Sequence, residues 1–378
     1  MATSFDRKSL VSAAVGGAAA ACVVVAYLWQ RDAAEEKRAA AASRDMPQRF
    51  GAMDVGDARA TSSRARSASQ PEVEGPVTFP LSRSLYKRLE HDGYLVLRGM
   101  LPQETVAAAR GVCEKIVDGL AAKLLAEGKI ADLMEGEPFE RRLAKLYEAH
   151  PEDAPTIFRQ ELRTQAMSHL FFNAPLLDLV ARILDTPELR LAGDFAAYPK
   201  RPRSALPAAQ QQVLYAGGKS LWHAARMNYD QLNVSEELME ASLEGTINVW
   251  TPLVSTTKAN GCVRVVPGSH RLDVLCMLPR QDAHSHPSKG RGYLEVDEQL
   301  MAAHENKAVD VELEPGDIFL FKQNLIHSGR PNTTDGVRWS MDWRYQDARR
   351  QNLNLNPELS SLARSASNPQ NAGWSKLD

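Results

Sequence analysis

The chain has 378 residues, of which 44% are hydrophobic and 24% charged, the balance of an ordinary globular protein that can bury a sizeable core. Its 45 basic and 47 acidic residues leave a formal charge of −2, which gives no broad electrostatic ground for a nucleic-acid partner. Cys22, Cys113, Cys262 and Cys276 are too few for a disulfide-built scaffold, and none forms the C-x-x-C pair of a cysteine zinc site. These thiols fit a reducing compartment.

Residues Leu10 to Trp29 carry no charge, and twenty residues at helical rise span a hydrocarbon core. Tyr27 and Trp29 stand where an interfacial aromatic belt would lie. Arg7 and Lys8 precede the run, and Arg31, Lys37, Arg38, Arg44 and Arg49 follow it. Residues 1–30 therefore read as a membrane anchor with the following domain on the cytosolic side. The run is rich in Ala and Gly, so a cleaved signal or organelle presequence is the competing reading. Residues 31–75 mix eight basic and eight acidic residues with Ala and Ser, with Phe50 as the one aromatic. Such a segment buries too little apolar surface to offset its ordering entropy, and it reads as a disordered linker.

The folded domain is expected over 76–346. Ser84 precedes a short helix, Leu85 to Glu90, then Asp92-Gly93 turns into an apolar strand, Tyr94 to Leu97. Pro102 opens a helix whose apolar positions Val106, Cys113, Ile116, Val117, Leu120 and Leu124 recur at helical spacing. Helical signals continue to about Asp185, including Phe139 to Ala149 and Leu176 to Leu184. Beyond Leu189 the pattern turns to strands: Thr246 to Leu253, Cys262 to Val266, Ala308 to Leu313, Ile318 to Phe321 and Arg338 to Tyr345. Asn260-Gly261, Pro267-Gly268, Pro315-Gly316 and Pro331-Asn332 punctuate them, as in a sandwich or jelly-roll barrel. Residues 347–378 read as a polar tail.

Of nine histidines, two stand out by their surroundings. His223 follows Leu221-Trp222 at an apparent strand start, and His327 follows the strand ending at Phe321. Arg338 leads a further strand eleven positions later. With these residues the sequence resembles the phytanoyl-CoA dioxygenase-like family of Fe(II)/2-oxoglutarate oxygenases. The resembling pieces are His91-Asp-Gly-Tyr-Leu-Val-Leu-Arg-Gly99, Val249-Trp-Thr-Pro-Leu253, Asn260-Gly-Cys-Val-Arg-Val-Val-Pro-Gly-Ser-His-Arg271, Pro315-Gly-Asp-Ile-Phe-Leu-Phe321 and His327-Ser-Gly-Arg-Pro-Asn332 with Arg338-Trp-Ser340. Each alone is weak; the ordered set, from about Phe79 to Gln346, is specific.

The resemblance implies a mainly β fold with a helical N-terminal half, the double-stranded β-helix or jelly roll. It also implies iron bound by His-x-Asp and a distant His. Residues i and i+2 of a strand face one side, so a His-x-Asp pair can present two ligands to one metal. Two histidines and one carboxylate leave three coordination positions for cosubstrate and oxygen. By the resemblance, His223 and His327 match the histidines and Arg338 the arginine that pairs with the distal carboxylate of 2-oxoglutarate. Trp250 falls in the strand flanking that cosubstrate.

The departure is Ala225, which stands where the carboxylate should be and offers no ligating atom. Asp230 lies at an odd offset from His223, on the opposite face of a continuing strand. Three readings stay open. In the first, chloride or another halide fills the position beside Ala225, as His-x-Ala resembles the non-haem iron halogenases; the halide restores the charge that an Asp would carry. In the second, water or another side chain completes the site and the enzyme hydroxylates. In the third, the chain has lost catalysis and acts as a binding protein, because two histidines alone hold Fe(II) weakly. The substrate implied by the anchor and the resemblance is a small apolar or lipid-like molecule, oxidised with O2.

Other signals carry less. Gly217-Gly218-Lys219-Ser220 lacks the first glycine of a P-loop, which would fall at Val213. His284 and His286 lie in a polar loop without partners. His270 reads as a buttress and Lys200 as solvent-facing. Asn233-Val-Ser235 and Asn332-Thr-Thr334 are glycosylation sequons. A glycan five residues from His327 would crowd the site, which favours the cytosolic side.

Overall fold

Among the described residues seven helices form on the signals that local chemistry supplies. In the computed structural model the described residues are 72–73, 83–208, 211, 222–224, 235–272, 277–279, 294–296, 298–352 and 356–374. The anchor at 1–30, nearly all of the linker, Ala225, Asp230, residues 217–220, His284 and His286 lie outside them. Among the described residues no helix is long and apolar enough to cross a membrane.

The helices are α1 (Arg83–Asp92), α2 (Gln103–Ala126), α3 (Phe139–Leu146), α4 (Gln165–Phe171), α5 (Ala174–Ile183), α6 (Glu236–Glu244) and α7 (Glu298–His304). Pro102 sits just before α2 with φ −58°, a position where a missing N–H leaves no bond unmade. Val106, Ala109, Cys113, Val117, Ala121 and Leu124 then bury one face at three- and four-residue steps. Thr164 caps α4 by accepting from the Met167 N–H at 3.2 Å, and Asn173 caps α5 through Leu176 at 3.1 Å. Helix α3 ends at Leu146, short of the expected Ala149, because Tyr147 leaves helical geometry at φ −111°.

The strands are β1 (Glu72–Val73), β2 (Tyr94–Leu97), β3 (Leu189–Leu191), β4 (Ala196–Lys200), β5 (Thr246–Pro252), β6 (Val263–Val265), β7 (Met277–Pro279), β8 (Leu294–Val296), β9 (Val309–Val311), β10 (Ile318–Lys322), β11 (His327–Gly329), β12 (Arg338–Asp347) and β13 (Ser361–Arg364). One sheet runs β1-β2-β10-β5-β12-β3-β13 with β4 also on β12; a second runs β11-β6-β9, and β7 pairs with β8. Among the described residues every pairing apart from β1 on β2 is antiparallel. This is the jelly-roll arrangement of two sheets that the resemblance implied, with the helices ahead of most of the strands.

Strand alternation builds two cores. On β12, Trp339, Met341, Trp343 and Tyr345 join Ile247 and Val249 of β5 and Leu320 of β10 in an apolar layer with α2, α4 and α5. The opposite faces put Trp250, Phe319 and Phe321 against Val263, Val265 and Val311 of the second sheet. The space between the sheets is where the site lies.

Two expectations need correction. Residues beyond Gln346 were expected as a polar tail, yet Ser361–Arg364 pairs with β3 and Trp374 packs against Phe171, Phe172 and Phe195 at 5.4–5.8 Å between ring centroids. Polar composition there hides the few apolar residues, Leu359, Ala363 and Trp374, that do the packing. Within the expected linker, Glu72–Val73 pairs in parallel with β2.

Candidate active site

His223 and His327 come from segments far apart in sequence and meet as partners in an isolated antiparallel bridge. The His223 N–H donates to the His327 carbonyl at 2.9 Å, and the His327 N–H returns a bond at 2.8 Å. The backbone thus fixes both Cα atoms, and the imidazole centroids stand 4.3 Å apart. Two rings this close, each only partly buried, can offer nitrogens to one ion.

The Nδ1 of His327 lies 2.9 Å from the Leu325 carbonyl. A carbonyl only accepts, so Nδ1 carries the proton and Nε2 keeps its lone pair, the tautomer a metal needs. Burial, the neighbouring His223 and Arg344 hold the His327 pKa well below its usual value, so the ring is neutral at physiological pH. The Phe321 ring stands 5.0 Å from it, edge-on.

Arg338 begins β12 on the face opposite Trp339. It is 7% exposed, and its guanidinium donates to Ser340 Oγ and lies 5.2 Å from the centre of the Trp250 ring. Trp250 therefore borders the arginine head by a cation–π contact. A nearly buried guanidinium beside a hydroxyl is a receptor for a carboxylate. The described residues thus fit a neutral imidazole pair for a metal and a cationic terminus for an acid. Among them no group of three or more His, Cys, Asp or Glu could hold a metal ion. Ala225, by its side chain, adds no donor to the pair.

The rest of this face was missed in the sequence. Arg338, Ser340, Asp342, Arg344 and Gln346 alternate with Trp339, Met341, Trp343 and Tyr345, a pattern visible in the sequence that marks an interior polar stripe. Arg344 pairs with Asp194, whose backbone carbonyl, with that of Phe195, accepts from Arg159. Asp342, in register with Trp250 and Ala196, has its carboxyl pushed up to about 6 by burial, and its Oδ1 is buried without a hydrogen bond.

Lys200, expected to face solvent, is turned inward. Its strand pairs with β12 so that Lys200 stands opposite Arg338, and burial and that guanidinium pull its ammonium pKa down to about 7. Asn332, read as a sequon, is 0% exposed. Its Nδ2 donates to the Lys200 carbonyl at 2.9 Å and the Gly336 carbonyl at 2.6 Å, and its Oδ1 accepts from the Thr334 N–H at 3.1 Å. That amide is part of the fold, not a free glycan acceptor. His270 bonds the Glu90 carbonyl through Nε2 at 3.0 Å, which fits the buttress read from the sequence.

A family model described as phytanoyl-CoA dioxygenase (PhyH) matches residues 89–340. Ectoine dioxygenase from Sphingopyxis alaskensis is 25% identical over 260 residues, 68% of this chain and 72% of that protein. The 1-deoxypentalenic acid 11-beta-hydroxylase of Streptomyces arenae is 26% identical over 271 residues, 68% of this chain and 78% of that one. Among solved structures, EctD from S. alaskensis with 2-oxoglutarate and 5-hydroxyectoine aligns at a TM-score of 0.44 and 20% identity, over 74% of this chain and 82% of that one.

Proposed function

Since the chain belongs to the phytanoyl-CoA dioxygenase family, we propose that it is an Fe(II)/2-oxoglutarate-dependent oxygenase acting on an aliphatic C–H of a small molecule. The observation that carries this reading is the bridge that brings His223 and His327 to a 4.3 Å ring separation, with Arg338 buried on the facing sheet. Iron, when bound, would supply the one-electron and oxygen chemistry that no side chain can. His223 and His327 would hold it. Arg338 and Ser340 would anchor the distal carboxylate of 2-oxoglutarate, and Trp250 would wall that pocket.

The third protein ligand is the open point. Ala225 leaves a position for chloride or water, so the oxidation is a halogenation or a hydroxylation. Chloride enters as a candidate because it restores the charge a carboxylate would bring. The small, apolar or lipid-like substrate remains our reading. Phe321, whose ring stands 5.0 Å from that of His327, supports it as an apolar wall, and the stripe through Asp342 and Arg344 adds polar contacts for a functional group. The membrane anchor at 1–30 and a cytosolic domain belong to the same reading.

A second reading has its own observation. Ala225 stands where the family's carboxylate ligand would, and two imidazoles alone hold Fe(II) weakly, which suits a family member that binds small molecules without turnover. Succinate release from 2-oxoglutarate by the iron-loaded full chain separates the cases. Turnover that rises at least about tenfold with chloride supports halogenation. Turnover indifferent to chloride and raised by Ala225→Asp supports hydroxylation, because the added carboxylate completes the ligand set. No succinate from either protein, each folded and iron-loaded, leaves the binding-protein reading.

A further inference from the structure

We propose that Asp342 anchors a protonated primary amine of the substrate, so that the small molecule taken into the cleft is an aliphatic amine rather than a neutral or acidic compound. This rests on the proposed oxygenase site and names the functional group that the polar stripe of β12 receives.

Three observations lead there. The first is position. Asp342 lies four residues beyond Arg338 and two before Arg344, on the face of β12 that looks into the space between the sheets. Arg344 is near enough to His327 to act on its charge. Opposite Arg344 stands Asn248, and opposite Asn248 stands Phe321, whose ring is 5.0 Å from that of His327. Along β12 the carboxyl thus sits between the residue proposed to anchor the keto acid and the one whose charge reaches the imidazole. The second is access. His223, His327, Tyr198, Asp342 and Arg344 keep part of their surface open, whereas Trp339, Met341, Trp343 and Tyr345 on the other face of β12 are sealed. Inward-facing residues that remain accessible line a cleft.

The third is the company the carboxyl keeps. Its Oδ1 is buried without a hydrogen bond. The cations around it are engaged elsewhere: Arg344 pairs with Asp194, and Arg159 donates to the carbonyls of Asp194 and Phe195. Tyr198 faces it from β4, and Ala196, directly opposite, brings no polar atom. Burial pushes the carboxyl up to about 6; Arg344 and Arg159 pull it down and Asp194 pushes it further up. A carboxylate in such a place gains from a group that brings both a donor and a positive charge. An alcohol brings a donor alone and an acid brings the wrong charge. An alkylammonium brings both, and its carbon frame suits the apolar wall at Phe321. The sign of the linkage follows. A bound cation favours the ionised carboxyl, so below about 6 binding must expel a proton and amine affinity falls as pH falls.

Calorimetric titration of the full chain, loaded with Mn(II) and 2-oxoglutarate, with n-octylamine, 1-octanol and octanoate in turn tests this without turnover. At pH 7.5 the amine should bind at least about tenfold more tightly than the alcohol or the acid. Its affinity should fall about tenfold from pH 7.5 to pH 5.0, while that of the alcohol stays level, because the alkylammonium keeps its proton over this range and the carboxyl does not stay ionised. Asp342→Asn should bring the amine to within about threefold of the alcohol and abolish the pH dependence. An amine affinity no greater than that of the alcohol in the unaltered protein, binding of neither included, overturns the proposal, as does an asparagine variant that keeps the preference. If that variant does not fold, the pH profile of the unaltered protein decides. Binding of 2-oxoglutarate without a preference for the amine overturns the amine site and leaves the oxygenase reading. A preference for the amine in a chain that binds no 2-oxoglutarate removes the oxygenase reading and leaves the amine site.

Discussion

The hydrogen bond from His327 Nδ1 to the Leu325 carbonyl, 2.9 Å long, settles which nitrogen of the imidazole is available. Reading sequence alone, His223, His327 and Arg338 stand out because their neighbours match a motif, but neither their bridge nor the tautomer is written in the spacing. Lys200 and Asp342 were illegible for a different reason. A lysine between prolines and an aspartate in a strand look solvated until the register shows which residues they face. Asp342 also gives a test at this scale. Its folded pKa is raised from 3.8 to about 6 by burial, so the protonated form is the one the fold favours. The stability it contributes is complete below the unfolded pKa, is lost as pH rises through about 6, and above that the fold bears a buried charge. Asp342→Asn should therefore stabilise the protein more at pH 8 than at pH 4.5, with a difference of about 1–3 kcal/mol. Urea denaturation at the two pH values measures it; an equal effect at both means that the carboxyl is not held up by burial.

Strand β12 joins the core to the site. Its odd-numbered residues from Trp339 to Tyr345 seal the helical layer, and its even-numbered residues from Arg338 to Gln346 line the space between the sheets. A one-residue slip would exchange the two faces, so packing on one side sets the position of the anchor on the other. The helical spacing of apolar residues, Pro102 and the Asp92-Gly93 turn made most elements of the N-terminal half legible. The strands β3, β11 and β13 were not, because three or four residues establish no period and no apolar run flanked by turn residues marks them. The strand β13 carries a prediction. Truncation after Gln346 removes it together with Trp374, which packs on Phe171 and Phe195. The loss should cost about 3 kcal/mol or more, the scale of emptying one buried tryptophan site, and lower the thermal midpoint by several degrees. A midpoint unchanged by the truncation would make the segment the loose tail its composition suggested.

At the scale of the molecule, the large sheet divides the labour. One face is cemented to α2, α4 and α5 by an apolar layer, and the other shares a smaller core with the β11-β6-β9 sheet. A jelly roll of this kind holds histidines from distant segments in register without a flexible loop carrying both. Its two-sheet character was legible from the spacing of turns after Leu189, while the crossing of β4 onto the first half of β12 was not, since strand order is a long-range property. The proposed oxygenase chemistry needs one ferrous site held by His223 and His327 and served by Arg338. The most direct measurement is anaerobic titration of the full chain with Fe(II) and 2-oxoglutarate, followed by visible absorption. A metal-to-cosubstrate charge-transfer band should appear in the unaltered protein, vanish in His223→Ala and His327→Ala, and need at least about tenfold more 2-oxoglutarate in Arg338→Met. A folded, unaltered protein that gives no band, or a band that survives loss of either histidine, would contradict it.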